Sequence, residues 1–185
     1  MDPSKRTECL ADTRIDILKF VIDWATAPRT TQNVLWLHGL AGSGKSTLAT
    51  TLASYFRERD RLGAFLFFAR DVDERSNPMT VVRTLAYQLG TFHPDIGKAI
   101  TASIKNTPSI CLSPLPFQFR RLLVEPLSSF TALKTPIVLV FDALDQCGTP
   151  EERESLMTVL SDWPPSTFHP FHIHQPCGDR SMSSV

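Results

Sequence analysis

Gly39-Leu40-Ala41-Gly42-Ser43-Gly44-Lys45-Ser46 reads G-x-x-x-x-G-K-[ST] without a break. The apolar run Val34-Leu35-Trp36-Leu37 leads into it, and the helix-forming stretch from Thr47 through Phe56 leads out. A strand that delivers a glycine-rich loop to a helix N-terminus is the context in which this pattern binds phosphate. Glycines let successive backbone N–H groups converge on a polyphosphate, where larger side chains would block the approach. On this reading Gly39 through Thr47 contact the nucleotide. Lys45 faces the β- and γ-phosphates, and the Ser46 hydroxyl ligates Mg²⁺. The competing reading is a plain glycine-rich turn.

A second run works outward from the first. Pro136 precedes Ile137-Val138-Leu139-Val140-Phe141, and the acid Asp142 follows. Five apolar residues are expected to form a strand buried on both faces. Its end carries Asp142 beside the loop, where a carboxylate can hold Mg²⁺ directly or through water. Asp145 is the nearby acid able to orient and deprotonate a water, whereas Gln146 can orient one but accepts no proton. Both residues also suit an ordinary polar turn before Gly148, so hydrolysis is the weaker half of this reading.

The remaining chain alternates helix and strand patterns. Helices are expected over Asp12–Ala25, Lys45–Arg59, Asn77–Leu89, Pro94–Ile104, Phe117–Phe130 and Glu151–Leu160. Pro126 is expected to kink or end the fifth of these. Strands are expected at Asn33–His38, Gly63–Ala69 and Ile137–Phe141, and a loop over Thr107–Pro116. This order predicts an α/β chain with a mostly parallel sheet covered by helices on both faces. Residues 1–32 read as an N-terminal segment with an amphipathic helix, 33–162 as the domain, and 163–185 as a tail. Pro164, Pro165, Pro170 and Pro176 and the loss of any period make that tail read as disordered.

Bulk properties narrow the setting. The chain has 185 residues, enough for one α/β domain. Lys plus Arg and Asp plus Glu both total 19, which gives no basic field for nucleic acid or an anionic membrane. Cys9, Cys111, Cys147 and Cys177 stand singly, as reduced thiols of an intracellular, cytoplasmic protein do. His169, His172, His174 and Cys177 match no standard zinc spacing and read as accidental composition. Arg70 and Arg75 follow the second strand and could approach phosphate, although solvated loop arginines are the default. Trp24, Trp36, Phe65, Phe67 and Phe68 read as core.

Trp36 through Ser46, then Gly63-Ala64-Phe65-Leu66-Phe67-Phe68, then Phe141-Asp142-Ala143-Leu144-Asp145-Gln146-Cys147 together resemble the NACHT-type NTPases. More narrowly, they resemble the nephrocystin-like NTPase domains of multidomain fungal proteins. The resemblance runs from about Cys9 to Leu160, and Gln146 departs from the Glu usual in that family. It implies a signalling P-loop NTPase of the STAND class, with ATP or GTP as ligand, Mg²⁺ as cofactor and protein partners. The base stays open, although no N-K-x-D guanine motif occurs. The resemblance also implies a further strand after the last helix, ending in a Thr-Ser-Arg sensor of the γ-phosphate.

The sequence instead runs Ser166-Thr167-Phe168-His169-Pro170-Phe171-His172-Ile173-His174. Pro170 argues against a central strand, so the sheet is expected to lack its sensor strand. The chain is expected to be truncated on that side, its tail a shifted or mis-spliced reading of the missing segment. Two rivals accompany the signalling NTPase. One is a small-molecule kinase, disfavoured because Asp142 comes too late to leave chain for a lid. The other is a non-hydrolysing nucleotide-binding remnant or interaction module.

Overall fold

All six residues of the strand Ile137–Asp142 are buried. The two faces of this strand, β3, are covered by different layers. Ile137, Leu139 and Phe141 enter a cluster with Leu85, Leu89, Phe119, Leu122 and Leu156. Val138 and Val140 point the other way, into a cluster with Val21, Leu48, Leu52, Phe56 and Phe65. Alternation of side chains across a pleated strand therefore turns one apolar run into two cores with a sheet between them.

The computed structural model describes residues 7–27, 34–70, 77–128 and 136–161, with the backbone of 168–174. In chain order the helices and strands are α1 (Ile15–Thr26), β1 (Leu35–His38), α2 (Lys45–Arg57), β2 (Leu62–Phe67), α3 (Pro78–Phe92) and α4 (Pro94–Asn106). Then come α5 (Leu115–Phe119), α6 (Glu125–Ser128), β3, α7 (Pro150–Ser161) and β4 (Phe168–His174). The sheet runs β1-β4-β3-β2, with every pairing parallel. Helices α1 and α2 cover one face; α3, α4, α5 and α7 contribute to the cluster on the other. The expected α/β arrangement with a small parallel sheet is what the chain adopts. Among the described residues no helix is long and apolar enough to cross a membrane.

Local chemistry sets the helix starts. Asn77 Oδ1 accepts from Met79 N at 2.9 Å, with Pro78 in the first turn of α3. Thr149 and Glu152 close a reciprocal capping box at the start of α7. Thr149 N donates to Glu152 Oε2 at 2.8 Å, and Glu152 N donates to Thr149 Oγ1 at 3.3 Å. At the N-terminal end of the sheet, Arg61 donates to Pro136 O at 3.1 and 3.2 Å and to Ala25 O at 2.7 Å. One side chain there ties the starts of β2 and β3 to the end of α1.

Three expectations need correcting. First, β4 fills the position expected to be vacant. It pairs with β3 from Ile137↔Phe168 to Asp142↔Ile173, and with β1 from Leu35↔Phe171 to His38↔His174. Residues 168–174 are thus strand, not disordered tail, and the sheet is not missing its strand between β1 and β3. Pro170 precedes the first β1 pair, and a residue without N–H is tolerated where one neighbour has not yet begun. No Thr-Ser-Arg sequence occurs in β4, but the structural motive for a mis-spliced tail is gone. Residues 162–167 and 175–185, with Cys177, lie outside the described residues, and so does Arg75.

Second, the helix does not end at Pro126. The chain continues through α5, a π turn at Arg120–Val124, and α6. Glu125 N donates to Arg120 O, five residues back. Widening the helix by one residue before Pro126 accommodates the bond that its missing N–H removes. Third, the expected loop at Thr107–Pro116 contains a 3₁₀ turn, Ile110–Leu112, with Ile110 buried. Of the expected core aromatics, Phe65 and Phe68 are buried. Phe67, Trp24 and Trp36 are partly buried against the two clusters.

Gly63 sits at the register shift between Leu62 and Ala64 in β2. A Cβ there would meet Ile137 Cγ2 at 2.3 Å and Leu89 Cδ2 at 2.9 Å. Gly63→Ala is therefore expected to lower unfolding free energy by about 1–3 kcal/mol through overpacking. Equilibrium denaturant unfolding checks it, and an unchanged midpoint would contradict the close approach.

Candidate functional site

All four strands are parallel, so His38, Phe67 and Asp142 end at one edge of the sheet. Loops beyond strand C-termini form the usual crevice of open α/β sheets. Two of the segments that leave at this edge carry the sequence motifs: the glycine-rich loop after β1, and the turn after β3.

The first loop opens with a β-turn in which Ser43 N donates to Leu40 O at 3.2 Å. Gly42 holds the third position with φ +72°, a conformation that glycine adopts without steric cost. Ala41 and Leu40 are exposed at its tip. Gly44 then caps α2 with φ +77° and no side chain to offer. The first-turn N–H groups of α2 consequently lack a side-chain cap, and the helix dipole leaves this end positive.

Lys45 folds back over the loop it follows. Its Nζ donates to Gly39 O at 2.7 Å and Leu40 O at 2.6 Å, with Ser43 Oγ at 3.5 Å. The ammonium is thereby held over the loop by neutral acceptors. Thr47 Oγ1 donates to Gly44 O at 2.6 Å, which braces the start of the helix.

Ser46 links the two loops. Its hydroxyl donates to Asp142 Oδ1 at 3.1 Å, although β4 separates β1 from β3. Asp142 is 1% exposed, so the hydroxyl reaches a buried carboxylate. A hydroxyl and a buried carboxylate are hard oxygen donors of the kind that fit Mg²⁺. Among the described residues, no group of three or more His, Cys, Asp or Glu gathers to hold a metal. The side chains of His169, His172 and His174 lie outside that description.

After Asp142 the chain reverses through Ala143, whose φ is +59°, into a 3₁₀ turn at Leu144–Gln146. Asp145 lies on this turn, half-buried. Gln146 Oε1 accepts from Arg70 N at 3.4 Å, and Phe68 N donates to Asp142 O at 3.0 Å. The turn is thus stitched to the end of β2. Cys147 closes it in a fully buried position. Burial pushes its thiol up to about 12, against a weaker downward pull from Arg153.

The sequence motifs did not single out Arg14. Its Nη2 donates to Ser43 O, which brings the segment before α1 against the glycine-rich loop. The sequence places Arg14 in the first turn of a helix expected from Asp12, whereas α1 begins at Ile15 and Arg14 is its left-handed N-cap, so no pattern marks the contact in advance.

The family model for nephrocystin 3, N-terminal, matches residues 19–174. That span includes both loops and β4. No curated protein matches the chain.

The buried thiol yields a direct check. At about pH 8, Cys147 should resist alkylation in the native protein, whereas exposed Cys111 should react. Peptide mass spectrometry should find Cys147 modified only after denaturant is added. Its labelling in the folded protein would contradict the burial.

Proposed function

We propose a function from one premise: the chain belongs to the nephrocystin 3 N-terminal family. It binds a nucleoside triphosphate, ATP or GTP, together with Mg²⁺ at the loop Gly39–Thr47, as a P-loop NTPase module of NACHT or STAND type. One observation carries this reading. Ser46 and Asp142, 96 residues apart, meet at 3.1 Å at the C-terminal edge of the sheet. A plain glycine-rich turn gives no reason for a hydroxyl in the first turn of α2 to meet a buried carboxylate.

The residues divide the work by chemistry. Uncapped N–H groups of the loop and first turn of α2 receive phosphate oxygens. Lys45 exchanges its carbonyl partners for the β- and γ-phosphates, a stronger, charge-assisted contact. Ser46 and Asp142 hold Mg²⁺, which when bound neutralises charge on those phosphates. Asp145 orients the attacking water and takes its proton. The setting is intracellular, and neither nucleic acid nor membrane is a ligand.

A second reading, nucleotide binding without turnover, draws support from Gln146. Its side-chain oxygen is occupied by Arg70 N, which is what a structural turn residue would do.

Lys45→Ala is expected to weaken Mg-ATP binding by at least about tenfold, as loss of a charged hydrogen-bonding group does. Calorimetry measures it, and equal affinity in wild type and variant would falsify the site. Asp142→Asn keeps shape but removes the charge, so affinities with and without Mg²⁺ should converge. Asp145→Ala should suppress nucleotide turnover while binding persists.

A further inference from the structure

The segment before α1 is fastened along α2 and ends at the glycine-rich loop. Cys9 N donates to Thr51 Oγ1 at 2.9 Å, and its thiol lies 3.8 Å from Thr47 Oγ1. Ser54 Oγ donates to Glu8 Oε1 at 2.6 Å. Asp12 and Arg14 both hold left-handed backbone, with φ +61° and +57°. Such conformations are costly for residues bearing side chains and persist where surrounding contacts fix them. Here they deliver the Arg14 guanidinium to Ser43 O. It lies so close to Gly44 that a Cβ there would stand 2.8 Å from Nη2.

Arg14 is exposed, and among the described residues its hydrogen-bond partner is a neutral carbonyl. Phosphate oxygens are stronger acceptors for a guanidinium and match its planar fork. We propose that Arg14 is a second cationic ligand of the polyphosphate and takes the α-phosphate, on the nucleoside side. This rests on the nucleotide-binding reading above.

The first turn of α2 supplies the assignment. Consecutive helical residues face different directions, and here Ser46 reaches Asp142 while Thr47 turns to Gly44 and Cys9. Metal held at the Ser46 end serves the β- and γ-oxygens. Arg14 and Thr47 Oγ1 flank the same site on Gly44, at 2.8 and 3.2 Å from a Cβ built there. The phosphate nearest that side is the one farthest from the metal, the α.

Arg14→Gly and Arg14→Lys test the assignment. Glycine accepts the left-handed backbone freely and is tolerated at an N-cap, so the guanidinium is lost without new strain. Calorimetry with Mg-ATP and Mg-ADP should show Arg14→Gly weakening both by the same factor, about ten- to hundredfold. Arg14→Lys should recover part of that loss. The nucleotide-free melting temperature of Arg14→Gly should not fall below wild type.

Loss confined to Mg-ATP would move the contact to the γ-phosphate and overturn the proposal. So would a lowered nucleotide-free melting temperature with no recovery by lysine, which would make Arg14 a brace of the loop. If Lys45→Ala weakens binding but Arg14→Gly does not, only the Arg14 assignment falls. Wild-type protein that binds neither nucleotide would sink the nucleotide reading and this assignment with it.

Discussion

A carboxylate 1% exposed must be surrounded by polar partners, because burying an unpaired charge costs far more than a domain's net stability. Asp142 meets that demand at the end of an otherwise apolar strand. The Ser46 hydroxyl donates to it, which fixes α2 relative to β3 although the two are remote in sequence. The glycine-rich loop lies between β1 and α2, so its position follows from that same link. The two cores hold β3 from either side, and the polar link sets which loops face each other.

Much of this was legible before any coordinates. Ile137 through Phe141 could only be a strand buried on both faces, since a half-exposed strand would have alternated. Glycines at 39, 42 and 44 announced a loop needing left-handed or crowded backbone, and two of them have positive φ. The helices around Pro78 and Pro94 were marked by proline at their starts. These signals are local, and short-range physics decides them.

What stayed hidden was non-local. Phe168-His169-Pro170-Phe171-His172-Ile173-His174 has no sustained strand period, yet two waiting parallel neighbours give its backbone ladders on both sides. Strand formation there owes more to its partners than to its composition. The helix passes Pro126 because of a π turn that nothing in the sequence marks. Arg14 depends on two left-handed residues that are not glycine, and no residue type signals them. On the proposed function Arg14 matters most, because it brings the segment before β1 to the glycine-rich loop.

The placement of β4 bears on how the chain reaches its native state. Residue 35 pairs with residue 171, so β1 waits for β4 before its backbone ladder is complete. On a ribosome the early helices and the glycine-rich loop would emerge well ahead of the segment that locks them. Long-range parallel pairing slows folding because chain entropy is lost before the contacts form. Until β4 slots in, β1 and β3 present open edges to any neighbouring chain. Vectorial synthesis thus leaves this sheet unguarded longest at its centre.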